Sequence, residues 1–206
     1  FRARKTYFAL YPNKEVFLPK IKESDLEDVP KHGQYGIRKK WHEWIVKNDE
    51  WRGAVRGYLA SISFADAQVG RLLDALDASP HAKNTIVVLW ADHGMHLGEK
   101  QQWEKFTLFE EATRVPLIII APGITKAGTV CDQPVNLLDV YPTLNELCGL
   151  PVRKDLDGVS LVPLLKNPKA KWERPSITTW GKGNHAARGQ RYRYIRHPNG
   201  DEQLYD

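Results

Sequence analysis

The stretch Thr85-Ile86-Val87-Val88-Leu89-Trp90, continued by Ala91-Asp92-His93-Gly94-Met95-His96-Leu97-Gly98-Glu99-Lys100-Gln101-Gln102-Trp103-Glu104-Lys105, decides how this chain is read. Its first six residues are a short, unbroken, β-branched apolar run, the pattern of a strand buried on both faces. The run stops at an acid. Open α/β sheets bind ligands just beyond the carboxyl ends of their strands, so Asp92 and His93 stand where such a fold keeps its working residues. A carboxylate and an imidazole in tandem, released into a glycine-containing loop, can hold a divalent cation. Lys100 and Lys105 follow and supply positive charge for an anion.

Upstream of the run, Val55, Tyr58, Leu59, Ile62, Ala65, Val69, Leu72, Leu73 and Leu76 recur at steps of three and four, which predicts a helix of about seven turns over 51–78. Asp66, at the edge of that stripe, reads as a carboxylate paired with a base such as Arg71. Ser79-Pro80 and Lys83-Asn84 turn the chain into the strand, giving a helix-to-strand unit of the α/β kind. Downstream, Val115 to Ala121 reads as a second fully buried strand, with Pro116 at its start and Pro122-Gly123 ending it. Asp139 is placed as the N-cap of a further helix that carries Pro142 in its first turn and closes at Gly149. Cys148, in the last turn of that helix, reads as a small buried hydrophobe.

The flanks are less periodic. Pro12, Pro19, Pro30, Gly33 and Gly36 break residues 1–50 into a long surface-hugging segment, yet Trp41, Trp44 and Trp51 are too many large apolar groups for free linker. They predict satellite core, with an aromatic-rich groove for a ligand as the other reading. From Arg153 onward the elements shorten. Ser176 to Trp180 and Tyr192 to Ile195 look like strands on either side of Gly181-Lys182-Gly183-Asn184. Arg191 and Arg193 alternate with Tyr192 and Tyr194, as in an antiparallel strand with one wet face; a stacking nucleic-acid binder would show the same alternation.

Composition narrows the function classes. With 206 residues, 42% hydrophobic and 27% charged, the chain has the make-up of an ordinary globular domain. A net charge of +5 suits an anionic substrate but falls short of a nucleic-acid-binding composition. No stretch approaches the ~18 apolar residues of a membrane span. Cys131 and Cys148 do not settle the redox compartment. Phe1 looks like a mid-sequence start and Gln203-Leu204-Tyr205-Asp206 like an unfinished end, so the chain is expected to be part of something larger.

These segments, taken in order, resemble a known family. Trp90-Ala91-Asp92-His93-Gly94, Leu97-Gly98-Glu99-Lys100, Trp103-Glu104-Lys105, Glu111 to Leu117, Ala121-Pro122-Gly123, Val135 to Leu144 and Gln203-Leu204-Tyr205-Asp206 resemble the C-terminal half of type I sulfatases, most of all the iduronate-2-sulfatase-like branch. Asp-His-Gly alone would also fit alkaline phosphatases and nucleotide phosphodiesterases, which share the superfold. Lys100, Lys105 and the Val-Pro-Leu strand tip the balance.

The resemblance implies an alkaline phosphatase-like α/β fold, with a mixed or parallel central sheet flanked by helices and a small C-terminal antiparallel subdomain. Residues 1–50 would then join an N-terminal half, 51–152 would belong to the α/β core, and 153–206 would form the subdomain. Asp92 and His93 would bind the active-site cation, in this family usually calcium. Carboxylate oxygen suits that hard cation, while imidazole is better suited to zinc. Lys105 would contact the sulfate, with a solvated lysine as the alternative, and Lys100 and His185 would reach toward the substrate. The nucleophile in this family is a formylglycine made within Cys/Ser-x-Pro-x-Arg, and neither Cys131-Asp132-Gln133-Pro134 nor Cys148-Gly149-Leu150-Pro151 fits that motif. The paired N-terminal aspartates of the cation site are missing as well. The chain is therefore expected to supply half of an active site and to be inactive alone, its partners being the N-terminal half and a sulfate ester, most simply on a carbohydrate. A periplasmic, secreted or lysosomal setting is what the family suggests. A phosphoester or phosphonate hydrolase of the same superfold and a non-catalytic binding domain are the alternatives.

Overall fold

The computed structural model describes residues 3–206, so Phe1 and Arg2 lie outside the described residues. The first fifty residues are less irregular than their prolines suggest. They contain α1 (Lys5–Ala9) and α2 (Lys39–Lys47). Both owe their existence to what they dock on. Next comes α3 (Trp51–Asp77), close to the span that the apolar spacing predicts. The Tyr7 ring of α1 meets Phe64 edge-on at 5.5 Å, and Arg56 Nη2 donates to the Phe8 carbonyl at 2.9 Å. His42 and Ile45 bury the inner side of α2, leaving Trp41 and Trp44 partly in solvent.

Strand β1 (Val87–Trp90) follows, then a minimal hairpin of β2 (His96–Leu97) and β3 (Trp103–Glu104), a short helix α4 (Glu110–Thr113), and β4 (Leu117–Ile120). Here the expectation of a mixed or parallel central sheet is not met. Among the described residues β1 pairs only with β4, antiparallel, with Val87 opposite Ile120 and Trp90 opposite Leu117. Nor are these strands buried on both faces, since Trp90 is 51% and Ile118 50% exposed. The helix stripe behaves alike, with Ile62 and Leu72 exposed. Two strands and one long helix leave faces and edges that only further elements could cover.

Two smaller expectations also change. Arg71 donates to Gln68 Oε1 at 2.8 Å, and Asp66 forms no ion pair among the described residues. Cys148 is exposed at the end of α5 (Val140–Leu147). Asp139 takes the N-cap position of that helix, as expected, but its side chain makes no cap hydrogen bond to it. It is the far partner of a reciprocal box in which Asn136 caps the preceding turn, and its fully buried carboxylate accepts from the Asn136 and Val159 backbone N–H groups, both at 2.9 Å.

After α6 (Val162–Lys166) the chain forms a four-stranded antiparallel sheet, β5 (Ser176–Thr179), β6 (His185–Arg188), β7 (Arg193–Arg196) and β8 (Glu202–Tyr205), paired in chain order. Its inner residues Ala186 and Ile195 pack with Leu26, Val29, Leu108 and Phe109, the core that ties the C-terminal sheet to the loop beyond β3. The alternation in β7 runs opposite to a wet arginine face. Arg193 is buried and Tyr194 exposed, because Arg193 donates to the carboxylate of Glu110 and to the Leu108 carbonyl. A guanidinium with fixed acceptors can be buried where an unpaired one could not. No described helix is long and apolar enough to cross a membrane.

Candidate active site

Strand β1 ends at Trp90 and delivers Asp92, His93 and Gly94 into a turn against α4. The Gly94 N–H donates to the Ala112 carbonyl at 2.8 Å, and a Cβ on Gly94 would lie 2.0 Å from the Glu111 carbonyl oxygen. Only glycine allows that approach. The turn is thereby pinned, and its two functional side chains project from a rigid base.

Lys105 comes from the far side of the β2–β3 hairpin. Its ammonium donates to His93 Nε2 at 2.6 Å, while His93 Nδ1 lies 2.8 Å from the Gly94 carbonyl oxygen. A carbonyl only accepts, so the ring proton belongs on Nδ1 and the Nε2 lone pair faces the lysine. Asp92 Oδ1 accepts from the His93 backbone N–H at 3.1 Å, and Oδ2 lies 3.6 Å from His93 Nε2. The Asp92 side chain is 77% exposed. One anionic oxygen donor, one imidazole and one ammonium thus converge beyond the end of a strand.

The backbone that presents Lys105 is unusual. Lys100, Gln101, Glu104 and Phe106 all have positive φ, at 50°, 54°, 68° and 70°. Such conformations cost free energy for non-glycine residues and persist where surrounding contacts over-determine them. Gln102 provides the contacts. Fully buried, it donates through Nε2 to the Lys105 carbonyl at 2.8 Å and accepts at Oε1 from the Arg38 N–H at 2.8 Å. Nothing in the residue pattern singled out Gln102. A buried amide becomes visible only through its partners.

Lys100 and His185 are not brought to this group. The Lys100 ammonium is held by Asp25 and lies over the rings of Phe109 and Tyr205. His185 Nδ1 lies 2.9 Å from Thr179 Oγ1 on the C-terminal sheet, and no hydrogen bond or ion pair joins it to Asp92, His93 or Lys105 among the described residues. His96, near in sequence, is wholly buried and 2.8 Å from Thr107 Oγ1. Burial drives its pKa down to about 4, against a smaller raising effect of the Glu99 backbone, so it serves as a neutral core group.

The donor set fits half of a divalent-cation site. Asp92 offers exposed carboxylate oxygens suited to a hard cation. His93 Nε2 already accepts from Lys105, and no group of three or more His, Cys, Asp or Glu side chains able to hold a metal occurs among the described residues. Any further ligands must come from outside this set.

The sequence pattern of the sulfatase family matches residues 6–150. A sulfatase of Formosa agariphila is 41% identical over 206 aligned residues, covering 97% of this chain and 40% of that protein. A solved enzyme in complex with its substrate D-glucosamine-2-N,6-O-disulfate is 30% identical, with a TM-score of 0.69 over 76% of this chain and 34% of its own. A phosphonate monoester hydrolase from Silicibacter pomeroyi shares the fold, with a TM-score of 0.81 at 24% identity over 97% of this chain and 46% of its own. The chain thus spans less than half the length of each of these relatives.

Proposed function

Because this chain belongs to the sulfatase family, we propose that it forms the C-terminal side of an active site that hydrolyses a sulfate monoester on a carbohydrate, in the manner of the iduronate-2-sulfatase-like branch. The observation that carries the reading is the Lys105 ammonium 2.6 Å from His93 Nε2, beside the open carboxylate of Asp92. Residues 51–152 are taken as part of the catalytic α/β core and 153–206 as a small subdomain. The exposed apolar faces of β1, β4 and α3 are taken as the seat of an N-terminal half. That half would supply the formylglycine nucleophile and the remaining cation ligands.

Within this chain the division of labour follows from charge. Asp92 would hold a divalent cation, calcium by family resemblance, and a bound cation would draw charge from the ester oxygens as a Lewis acid. Lys105 has N–H donors beyond the one directed at His93, and these can bind a sulfate oxygen and stabilise charge that grows in the transition state. His93 orients the lysine through Nε2 and is itself held by the Gly94 carbonyl. With Lys105 turned to a substrate, the His93 Nε2 would be available as a second ligand to the cation.

In the intact protein Asp92→Ala should abolish metal-dependent arylsulfate hydrolysis and lower metal content, and unchanged turnover with unchanged metal would overturn the site assignment. Lys105→Ala should lower turnover far more than thermal stability. The competing reading is a phosphonate or phosphomonoester hydrolase, supported by the fold shared with the phosphonate monoester hydrolase. A higher kcat/KM on 4-nitrophenyl phosphate or on a phosphonate ester than on 4-nitrophenyl sulfate would select it.

A further inference from the structure

We propose that the cleft between α2, the start of α3 and the β2–β3 hairpin binds a neutral sugar ring, the residue adjoining the one whose sulfate sits at His93 and Lys105. The inference rests on the carbohydrate-sulfatase reading above and adds to it a binding site built by Trp41 and Trp44.

The cleft has a volume of about 510 Å³, within the range of small-molecule sites. Its walls are the rings of Phe8, Trp41, Trp44 and Trp103, with the carboxylates of Glu50 and Glu104. Trp103 is buried and structural, its Nε1–H donating to His42 Nδ1 at 3.2 Å. Trp41 and Trp44 differ. They are 39% and 54% exposed on a helix whose His42 and Ile45 are buried, and with the Arg38 guanidinium over the Trp41 ring the Trp44 indole is the more open of the two. An indole left in water forfeits the burial free energy that usually decides its placement, and it offers a flat, electron-rich face to any ligand that covers it.

The charges select the ligand. Among the described residues no lysine or arginine lines the cleft. The nearby Arg38 is committed, with Nη2 3.2 Å from Glu104 Oε2 and the guanidinium carbon 5.4 Å from the Trp41 ring centre. A second sulfate or a uronate would therefore meet the Glu50 carboxylate and a Glu104 carboxylate already paired with Arg38. A purely apolar chain would bury Glu50 without a donor, which is costly. A neutral pyranose satisfies both walls, since its polarised C–H groups lie on the indole faces and its hydroxyls donate to carboxylate oxygens. Its location follows from the hairpin. His96 pairs with Glu104 at the open end of β2 and β3, so Met95 and Glu104, which line the cleft, are close chain neighbours of His93 and Lys105.

The test uses the intact protein and four neutral disaccharides, lactose, cellobiose, maltose and chitobiose, followed by saturation-transfer NMR. At least one should bind saturably, Trp44→Ala should weaken that binding roughly tenfold, and Trp44→Phe should restore most of it. On a sulfated oligosaccharide, Trp44→Ala should raise KM relative to that on 4-nitrophenyl sulfate, with kcat little changed. The proposal is overturned if no disaccharide binds, as when another part of the polypeptide fills the cleft, or if binding survives Trp41→Ala and Trp44→Ala undiminished. Disaccharide binding that persists while Asp92→Ala and Lys105→Ala leave turnover intact would sink the sulfatase site alone. Loss of turnover in those variants with no sugar binding would sink the cleft alone.

Discussion

The Lys100 ammonium lies 2.8 Å from Asp25 Oδ1, joining two segments 75 residues apart, and the rings of Phe109 and Tyr205 flank it with centres at 5.0 and 5.2 Å. A cation so enclosed is a staple between the N-terminal segment, the β2–β3 hairpin and the C-terminal sheet. The lysine that the motif places five residues earlier than Lys105 therefore holds the scaffold, while Lys105 lies against His93.

Lys100→Met should accordingly behave as a stability variant. It leaves Asp25 unpaired in a half-buried position and removes two cation–π contacts, a loss of about 2 kcal/mol after allowance for partial solvation. Urea denaturation of the intact protein would show the lowered midpoint. Turnover per folded molecule should hold; a selective rise in KM for sulfate esters would return Lys100 to the binding site.

Gln102→Leu tests how Lys105 is positioned. The substitution keeps the volume but removes the partner of the part-buried Arg38 N–H and Lys105 carbonyl, at a cost on the order of 1 kcal/mol for each group. Stability should fall. The decisive readout is kcat, which should drop further than thermal loss explains, because the strained 100–106 backbone no longer aims the ammonium. Normal kcat in a destabilised protein would reduce Gln102 to a core residue.

Gly94→Ala places a methyl group 2.0 Å from the Glu111 carbonyl oxygen, so the turn or α4 must move. Overpacking of this kind costs typically 1–3 kcal/mol. Both the melting temperature and arylsulfate turnover should fall together, whereas Asp92→Asn, at an exposed carboxylate, should alter turnover with little change in melting. A Gly94→Ala protein with wild-type stability would contradict the close packing of the turn.

His96 makes a pH prediction with a defined sign. Burial holds its folded pKa at about 4, below the ordinary value of 6.5, so the unfolded chain takes up a proton that the folded chain refuses. Stability should be flat above pH ~6.5 and decline as pH falls toward ~4, by up to roughly 3 kcal/mol from this group. Burial lowers His42 and His197 in the same direction, and they steepen the same limb. Chemical denaturation between pH 7.5 and 4.5 should show a shallower slope for His96→Gln. An unchanged slope would mean that His96 takes its proton in the folded protein at its ordinary value.

Much of the outline is legible in residue order. Apolar steps of three and four delimit α3 to within a residue of its observed end, and two β-branched runs locate β1 and β4. The tandem Asp92-His93 at the end of such a run marks the site, and the ordered motifs point to the sulfatase family. These features are readable because periodicity and motif spacing are properties of neighbours along the chain. The elements that escape are those lacking a local signal. Strand β6, His185-Ala186-Ala187-Arg188, has no β-branched residue, and β8 was read only as a terminal motif. Each becomes a strand through its partner.

The site divides the same way. That lysines follow Asp92 is plain in the sequence; that Lys105 is the one beside His93, with Lys100 folded inward onto Asp25, depends on four non-glycine residues in left-handed backbone conformations that no residue type announces. Arg193 turns inward because Glu110 is there to receive it, and Gln102 matters because Arg38 and Lys105 present their backbone groups to it. Sequence by itself determined the family, the long helix and the placing of Asp92-His93 just beyond a strand, all written in local pattern. Tertiary structure alone decided which polar side chains are buried and which remain free to act, because a buried charge or amide is tolerated only where distant segments bring it a partner.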